Sequence, residues 1–599
     1  MPRKMGRFDE GSLTILSLII FGFGIVFMWS FLGVSVMAAE PVEVIVEGIE
    51  GEILKSVQAE LTLPPGLVQG DKVDRYWLSL FQQRAPERVR RVLEPFGYYN
   101  SKIGTTVETT EEGFSRLHVN VELGEPVRIA SVRVDIHGIG AEELTLQSLV
   151  NKFPIKEGDI LRHDRYEEAK ETLKAKAMDL GYLDAEFLVH QILVSKTKSE
   201  ANIELILQTG FQYRFGEVTF HEASIYPEPF LRRYLTFQPG EVFSYSKIAR
   251  TQLNLINSDR FKEVNIDAKK EDSKDFIIPI RINLNPSKPK RIRLGIGYET
   301  DLGPRVFAHY QDLNFSRWGH ELNAELNISQ RLQGLVAQYV LPSLKNLDSK
   351  TSFKLGIQRE DTKTYDSRSI FIEPEYVHSF GRGMLGSVYI QGRLEGFTIG
   401  EEDGRSRLLM PGLRFSRRQY NDLIRPTKGY RFALETRGAA QALGSDTNFL
   451  QFLVKGDALI PLPFRFSLLM RVEGGTTLAN SLGDLPPSVR FFAGGDRSVR
   501  GYAYQSLGPK DANGDVTGGK HLLVGSIELE KAIAKIFGVA AFYDVGNAFN
   551  SFGHMDLQQG VGVGIRLYTP VGPIRLDLAR QVGVKDPDFR IHFTVGFGL

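Results

Sequence analysis

Residues 321–329 read ELNAELNIS, a stretch in which polar and apolar side chains alternate without a break. Leucine, alanine and isoleucine fall on one side of an extended chain here, and glutamate, asparagine and serine fall on the other. Residues 589–597, FRIHFTVGF, show the same alternation. A strand with one apolar and one polar face fits a barrel wall that has lipid outside and water inside. A soluble β-sandwich also alternates and is the alternative on pattern alone.

Segments of this kind are about ten residues long, and they continue from residue 287 to residue 599, separated by Gly, Asp, Asn and Pro. A tilted strand of about ten residues crosses a bilayer, so this region accommodates about 16 antiparallel strands. Closure into a cylinder would satisfy every backbone hydrogen-bonding group within the lipid. The sequence therefore predicts a transmembrane antiparallel β-barrel over residues 287–599.

The region before residue 287 has a different texture, because strand-like and helix-like segments recur three times in the order β-α-α-β-β. A Gly-Tyr turn follows the second helical segment at Gly97-Tyr98 and again at Gly181-Tyr182. A Gly-centred turn between the helices, Lys156–Leu161, is matched by Gln238–Phe243. Each unit is large enough to bury a core of its own. The pattern predicts three α+β domains, at residues 40–124, 125–209 and 210–286.

The first residues of the chain have the form of a secretory signal. Arg3, Lys4 and Arg7 precede an apolar run from Leu13 to Val36, and small residues follow at Val36–Ala39. We therefore expect a cleaved signal peptide over residues 1–39, with an uncleaved signal anchor as the alternative, because the run is long enough to cross a bilayer. After Ala39, charged residues break every apolar run well before ~18 residues.

Composition excludes several function classes. The chain has 73 Lys and Arg against 72 Asp and Glu, so it lacks the basic excess with which nucleic-acid binders neutralise phosphates. It has no cysteine, which excludes disulfides and thiolate metal sites. No zinc-protease HExxH, P-loop or GxSxG motif is present, and the histidines show no metal-ligand spacing. We expect a protein that is not an enzyme and that binds neither cofactor, metal nor nucleic acid.

Residues 491–502 read FFAGGDRSVRGY. This stretch resembles the VRGF/VRGY loop of the BamA/TamA superfamily and of two-partner secretion transporters, and the match is highly specific. The resemblance implies that Val499, Arg500, Gly501 and Tyr502 belong to a lid loop that folds back into the barrel lumen. It also implies that Arg500 meets an acidic residue on the inner wall, for which we expect Asp544 in FYDVG. A guanidinium in a narrow lumen is costly unless a carboxylate pairs with it.

Two further features agree with this resemblance. Residues 560–577, GVGVGIRLYTPVGPIRLD, resemble a late strand-turn-strand of these barrels, and the alternate glycines Gly560, Gly562 and Gly564 indicate close approach inside a wall. The three N-terminal units resemble POTRA domains, the periplasmic modules of the superfamily. Three units point to the TamA branch, since BamA usually has five and two-partner transporters have two.

The resemblance implies a function in the bacterial outer membrane. We expect a factor that inserts or secretes autotransporter-type and other β-barrel clients, with its POTRA domains in the periplasm. POTRA edge strands would bind an extended client strand through backbone hydrogen bonds. The implied partners are a TamB-like inner-membrane-anchored periplasmic protein, nascent clients and outer-membrane lipid. A two-partner-type secretion transporter and a passive outer-membrane channel are the alternatives.

The family mechanism also implies a seam between the first barrel strand, Arg291–Glu299, and the last, Phe589–Phe597. Such a seam would open towards lipid, and a client hairpin could pair there. Gly295 and Gly297 on the first strand, with Thr594 and Gly596 on the last, are the expected seam positions. Glycine removes side-chain packing and would weaken the seam, or it would merely accommodate barrel curvature. The sequence leaves both readings open.

Overall fold

The computed structural model describes residues 42–69, 72–109, 115–222, 225–422, 426–569 and 572–595. The predicted signal peptide at residues 1–39 lies outside these ranges. The chain divides into two compact units, the first ending at Tyr213 and including Val242–Ser244, the second comprising Arg214–Glu241 and the chain from Tyr245 onward. Within the described ranges, no helix is both long and apolar enough to cross a membrane.

Three small domains of the same topology precede the barrel. In each, the last strand forms the centre of a three-stranded sheet, parallel to the domain's first strand and antiparallel to the strand just before it. The predicted β-α-α-β-β order is confirmed in all three, and the first domain adds a pair of antiparallel strands of two residues each. The elements are β1 (Val42–Glu47), α1 (Gly51–Glu60), β2 (Val68–Gln69), β3 (Lys72–Val73), α2 (Arg75–Leu93), β4 (Lys102–Thr109) and β5 (Ser115–Glu122); β6 (Arg128–His137), α3 (Leu144–Asn151), α4 (His163–Asp179), β7 (Glu186–Ser195) and β8 (Glu200–Gln208); and β9 (Arg214–His221), α5 (Glu228–Arg232), α6 (Tyr245–Ile256), β10 (Phe261–Asp267) and β11 (Ile277–Pro286).

Helix α2 is longer than the sequence indicates. The pattern predicts a helix over residues 87–96, after Pro86, whereas the structure begins it at Arg75. The Asp74 side chain caps the helix by accepting hydrogen bonds from the backbone N–H groups of Tyr76 and Trp77. Proline usually ends a helix because it lacks an N–H. This one continues because its buried face is unbroken on both sides of the proline, at Leu78, Phe81, Ala85, Val89 and Leu93.

Sixteen antiparallel strands form the barrel, each bonded to its neighbours in the chain, and the last pairs with the first to close it. The predicted transmembrane barrel of about 16 strands is thus confirmed. The strands are β12 (Lys290–Glu299), β13 (Gly303–Asp312), β14 (Glu321–Ser329), β15 (Leu332–Pro342), β16 (Lys350–Asp361), β17 (Tyr365–Gly381), β18 (Met384–Ile399), β19 (Glu402–Tyr420), β20 (Gly429–Ala439), β21 (Phe449–Leu462), β22 (Phe466–Ala479), β23 (His521–Ala532), β24 (Phe537–Phe549), β25 (Gln558–Thr569), β26 (Gly572–Val582) and β27 (Phe589–Val595).

The two faces of the barrel wall have opposite chemistry. On β12, the outward side chains of Ile292, Leu294 and Ile296 are 68, 76 and 81% exposed. A wall of exposed apolar side chains is unfavourable in water but stable in contact with lipid. Inward positions carry charge instead. Glu373 and Glu375 on β17 are buried and are bridged by the Nζ atom of one lysine on β16, at 2.9 and 3.0 Å. The alternation seen in the sequence therefore separates lipid from an ionic interior.

A buried arginine of the third small domain binds the barrel at the loop between β13 and β14. Arg260 donates hydrogen bonds to the carbonyl oxygens of Leu313 and Gly319, the latter at 3.1 Å, and to the carboxylate of Glu321 at 2.8 Å. Its guanidinium also lies 4.9 Å from the centre of the Phe230 ring. Because every partner is on the loop or strand after β13 or in the domain itself, this contact fixes the domain at that end of the barrel.

A loop anchored inside the barrel

The segment between β22 and β23, residues 480–520, is the predicted lid loop and lies against the inner wall of the barrel. Its flanks pair with each other at Phe491 and Gly519. Val499 and Tyr502 pack in one apolar cluster with Leu522 and Val524 of β23. These two wall residues are buried, and they alternate with outward residues that are exposed, so the loop contacts the wall from inside.

Arg500 meets Asp544, as the resemblance predicts. Its Nε and Nη2 atoms donate to the two carboxylate oxygens of Asp544 at 2.7 and 2.9 Å, and its backbone N–H donates to Oδ2 at 3.1 Å. The Ser526 hydroxyl donates to the same carboxylate at 2.6 Å. Arg500 is 2% exposed and Asp544 is fully buried, so neither charge has water to solvate it. The two-pronged geometry fixes both the position and the orientation of the loop.

Two more carboxylates reach Arg500, which the sequence did not predict. Its Nη1 atom donates to Glu528 on β23 at 2.7 Å and to Asp577 on β26 at 3.2 Å. The guanidinium lies 3.3 Å from the centre of the Phe542 ring, whose face attracts cations. One loop residue thus contacts three wall strands, β23, β24 and β26.

Arg566 on β25 completes the charge cluster. It donates to Glu528 at 2.6 Å and to Asp577 at 2.5 Å, and it is 1% exposed. The five groups carry two formal positive and three formal negative charges, and Arg471 lies close enough to donate to the Ser526 hydroxyl at 3.3 Å. Because a buried unpaired charge is much more costly than a paired one, each member requires the others. We name Arg500, Arg566, Glu528, Asp544 and Asp577 the lumen charge cluster.

Glycines make room for the loop at its closest approach. Gly560 of β25 faces the carbonyl oxygen of Arg500, and a Cβ there would overlap it. Gly501 has φ of 96°, a backbone conformation that side chains other than glycine rarely adopt. The predicted close approach at Gly560, Gly562 and Gly564 is therefore present, with the loop backbone, Leu578 and Asp577 as the respective neighbours.

A second anchor joins the loop to both ends of the barrel sheet. The backbone N–H of Asp496 donates to Asp301, in the turn after β12, and the Asp496 carboxylate bonds His592 Nδ1 on β27. His592 Nε2 in turn accepts the backbone N–H of Gly501 at 2.9 Å. Because Nε2 accepts, the proton of a neutral imidazole lies on Nδ1 and is donated to Asp496. We name Asp301, Asp496 and His592 the seam clasp.

The seam clasp groups one ligand-type atom from each residue within 4.8 Å of one another. Sequence spacing could not show this, since the residues lie far apart in the chain. The hydrogen bonds occupy both nitrogens of His592, so the imidazole acts as a bridge between the loop and β27. Burial and the nearby Asp496 carboxylate raise the pKa of Asp301, in the turn, to about 7. Protonation of Asp301 would remove the repulsion between the carboxylates of Asp301 and Asp496, which we call the acid pair.

The predicted seam strands do pair, although in a different register. Thr594 lies opposite Glu299, two residues from Gly297, and Val595 lies opposite Tyr298. Gly596 lies outside the described residues. At Gly295 a Cβ would overlap the ring of Phe307, and at Gly297 it would meet the carbonyl oxygen of Val595 at 2.7 Å. Gly295 and Gly297, the two seam glycines that the structure describes, both make room for neighbouring atoms. This favours the reading that they accommodate the close packing of the wall over the reading that they weaken the seam.

The lid loop also contacts the first strand of the barrel directly. Arg497 donates to Glu299 at 3.2 Å, and Arg305 on β13 pairs with the same carboxylate at 2.8 Å. Further along the loop, Tyr504 and Gln505 both reach Glu360 at the end of β16, at 3.4 and 3.3 Å. The loop therefore bridges the first strands and the last strands of the barrel.

Models of known families match nearly all of the described chain. Residues 314–598 match the Omp85 superfamily domain, and residues 43–123 match the POTRA domain described as TamA domain 1. Residues 128–210 and 213–286 each match the POTRA model described as a surface antigen variable number repeat.

Curated relatives agree with these matches. The chain is 22% identical over 509 residues to the outer membrane protein assembly factor BamA of Nitratidesulfovibrio vulgaris, covering 80% of this chain and 62% of the relative. It is 20% identical over 503 residues to the BamA of Neorickettsia risticii, covering 76% and 64%. The chain thus spans less than two thirds of the length of either relative.

A solved structure shows the same fold. The crystal structure of BamA from Haemophilus ducreyi lacking POTRA domains 1–3 superposes with a TM-score of 0.65 at 17% sequence identity. The match covers 78% of this chain and 99% of that one.

Gly560→Ala tests the closeness of the loop to the wall. The added methyl overlaps the Arg500 carbonyl, so the loop tip must move, at a cost of about 1–3 kcal/mol. We expect hydrogen exchange at the Arg500 and Gly501 amides to rise on the order of tenfold. Gly474→Ala on β22 is the matched control, because an added methyl there would meet the carbonyl oxygen of Leu522 only at 3.9 Å. Equal protection in both variants would contradict the packing described.

Asp301→Asn tests the acid pair of the seam clasp. With a pKa raised from 3.8 to about 7, Asp301 binds more proton in the attached loop, so attachment weakens as pH rises through that window and is level above it. We expect the ratio of exchange at Gly501 in the native protein to that in Asp301→Asn to rise by roughly tenfold or more from pH 5 to pH 8. Comparing the two proteins at each pH cancels the chemical exchange rate. A ratio of exchange rates that stays constant from pH 5 to pH 8 would contradict the interaction of Asp301 with Asp496.

Proposed function

Because this chain carries an Omp85 superfamily domain behind three POTRA domains, the first of the TamA type, we propose that it assembles β-barrel proteins in the outer membrane. The barrel lies in the bacterial outer membrane, with the POTRA domains in the periplasm. Its clients include autotransporter-type proteins, which it inserts or secretes.

The observation that carries this proposal is the contact of one loop with both strands of the seam. Arg497 of the lid loop bonds Glu299 on β12, and Gly501 bonds His592 on β27. The two strands are themselves joined next to these contacts, where the Thr300 N–H donates to the Phe593 carbonyl at 3.1 Å. A loop held by both strands resists their separation, and its release would allow the seam to open for a client strand. Val499, Arg500, Gly501 and Tyr502 are the residues that hold the lid loop against the inner wall.

Client capture is assigned to the edges of the POTRA sheets. Strands β4 and β7 each lie at the edge of their sheet and pair on one side only within it. An extended client segment can add to such an edge through backbone hydrogen bonds, with little demand on its sequence. On β7, Leu188 and Leu193 are more than half exposed and would contact alternate apolar residues of the added strand. A TamB-like, inner-membrane-anchored protein is the proposed periplasmic partner.

The domain limits follow the sequence expectation and are part of this proposal. They are a signal peptide at residues 1–39, POTRA domains at 40–124, 125–209 and 210–286, and the barrel at 287–599. A passive channel is the competing function, and single-channel recording separates the two. A large, steady conductance would favour the channel, whereas a lid loop bound across the lumen predicts a low one.

Arg500→Ala tests the role of the loop in assembly. Removing the guanidinium leaves the buried Asp544 carboxylate without its partner, which costs about 3–5 kcal/mol locally. We expect the barrel to reach the outer membrane but the rate of client folding in proteoliposomes to fall by about tenfold or more. Arg393→Ala, an inner-wall change outside the lumen charge cluster, serves as control. Native activity in a correctly inserted Arg500→Ala protein would remove the residue from the mechanism.

A disulfide across the seam tests the gate. Tyr298 and Val595 are directly opposite, and opposed residues of antiparallel strands lie within disulfide range. The chain has no cysteine of its own, so Tyr298→Cys with Val595→Cys gives a single defined crosslink. We expect client assembly to stop on oxidation and to return on reduction.

The matched control for this experiment is a crosslink between strands that are not at the seam. Leu468 on β22 and Leu529 on β23 are also opposite each other. Replacing both with cysteine locks the wall there and leaves the seam free. Undiminished assembly by the oxidised Tyr298–Val595 pair would reject the lateral gate.

A further inference from the structure

A groove of about 1080 Å³ lies on the outer surface of the barrel, away from the lumen and the seam. Strand β12 leaves the third POTRA domain, so turns that follow even-numbered strands lie at the opposite, extracellular end. The groove is near that end, on strands β14 to β19, and its lining residues include Leu335, Ile357, Arg368, Gly396 and Arg405. No part of the proposed assembly mechanism uses it.

Strand register arranges the groove in two level rows. Arg359 pairs with Arg368, Arg368 with Gly396, and Gly396 with Arg405, which places three arginines and one glycine at one height on four neighbouring strands. We call this the cationic row. Two residues nearer the membrane centre, Leu335, Ile357, Ile370 and Leu394 are paired in the same way and form the apolar row.

The glycine leaves a gap in the cationic row. A Cβ at Gly396 would meet no heavy atom within 4 Å, so the space between the two flanking arginines is open. Neighbouring strands lie about 4.8 Å apart, which sets the backbones of Arg368 and Arg405 about 10 Å apart. Two guanidinium groups that extend towards each other over such a gap can bind one phosphate from both sides, each through paired N–H groups.

The arginines differ in what already binds them. Arg359 bonds Asp361 and Asp366 at 3.1 Å, so its charge is neutralised locally. For the side chains of Arg368 and Arg405, in contrast, the described part of the chain provides no hydrogen bond or ion pair, and both residues are exposed. The two arginines beside the gap are therefore the ones free to bind an anion.

The apolar row determines the kind of anion. Leu335, Ile357, Ile370 and Leu394 are 43–52% exposed, and they continue the lipid-facing band directly below the arginines. A soluble phosphate would use the arginines and leave this surface uncovered. An acyl chain covers it, while its phosphorylated headgroup reaches the arginines at the membrane boundary.

We propose that this groove is a binding site for a phosphorylated lipid of the outer leaflet. The phosphate lies over Gly396 between Arg368 and Arg405, and the acyl chains lie along the apolar row. The site is separate from the lid loop and the seam, so it does not depend on the assembly function proposed above. It would hold one lipid in place on the wall formed by β16 to β19.

Native mass spectrometry of the full-length protein tests the site with three probes. Dioleoyl phosphatidic acid and dioleoylglycerol share their acyl chains and differ in the phosphate, and inorganic phosphate lacks the chains. We expect the detergent-purified protein to retain phosphatidic acid about tenfold or more over dioleoylglycerol. Binding of inorganic phosphate with equal retention of the two lipids would show an anion site only and overturn the proposal.

Two variants locate the binding. Arg368→Ser with Arg405→Ser removes the free guanidinium groups, and Gly396→Trp fills the gap without changing charge. We expect both to lose the preference for phosphatidic acid. Arg417→Ser with Arg418→Ser removes the same charge near the opposite end of β19 and should leave the preference intact. Heat-modifiable gel mobility confirms that each barrel is folded. A preference that survives both groove variants would overturn the site.

Discussion

The buried guanidinium of Arg500 is the interaction on which the rest of the barrel interior depends. A charge in a narrow protein lumen is stable only where carboxylates surround it, and here three strands each supply one. The cluster contributes little net stability compared with an apolar packing of equal size. The cluster instead fixes the orientation of the loop, because the planar guanidinium of Arg500 binds carboxylates through more than one N–H group and can do so in one orientation only. The loop, the wall glycines and the seam contacts are all positioned from this point.

The position of the lid loop depends on glycines, which lack a side chain, as well as on the charged side chains. Gly560 brings the Arg500 backbone against β25, and Gly495 leaves space for the Asp301 carboxylate beside Asp496. The loop then reaches the first and last strands together, through Glu299 on one side and His592 on the other. A single hairpin thus couples the lumen charge cluster to the closure of the sheet. This coupling supports the proposal that the loop acts as a lid over a lateral gate.

The outer surface follows a separate rule. Lipid contact selects apolar side chains over most of the wall, whereas near the extracellular end of β16, β17 and β19 the outward face carries Arg359, Arg368 and Arg405 at one height. In the proposed lipid site, this boundary between the apolar row and the cationic row coincides with the membrane boundary. Such a boundary suits an amphiphile, whose two parts differ in the same way.

Several properties of this protein were determined by the sequence alone. Alternation with a period of two gave the barrel, including β14 at Glu321–Ser329, and the recurring β-α-α-β-β order gave three POTRA domains. Residues 491–502 resemble the superfamily's lid loop, and residues 314–598 match the Omp85 superfamily domain. The same resemblance predicted that Arg500 meets Asp544, and the structure contains this hydrogen bond. These signals are local: each is contained in one strand, one repeat or one short motif.

Only the tertiary structure decided what meets across strands. A slip of two residues leaves every side chain on the same face, so the pattern predicts the face but not the register. For this reason the sequence could not show that Thr594 lies opposite Glu299 rather than Gly297. It also could not show that Glu528, Asp577 and His592 contact the lid loop. Helix α2 passes Pro86 for a similar reason, since its buried face depends on a core that distant residues build. Backbone hydrogen bonds between remote segments fix these choices, and no single stretch of sequence contains them.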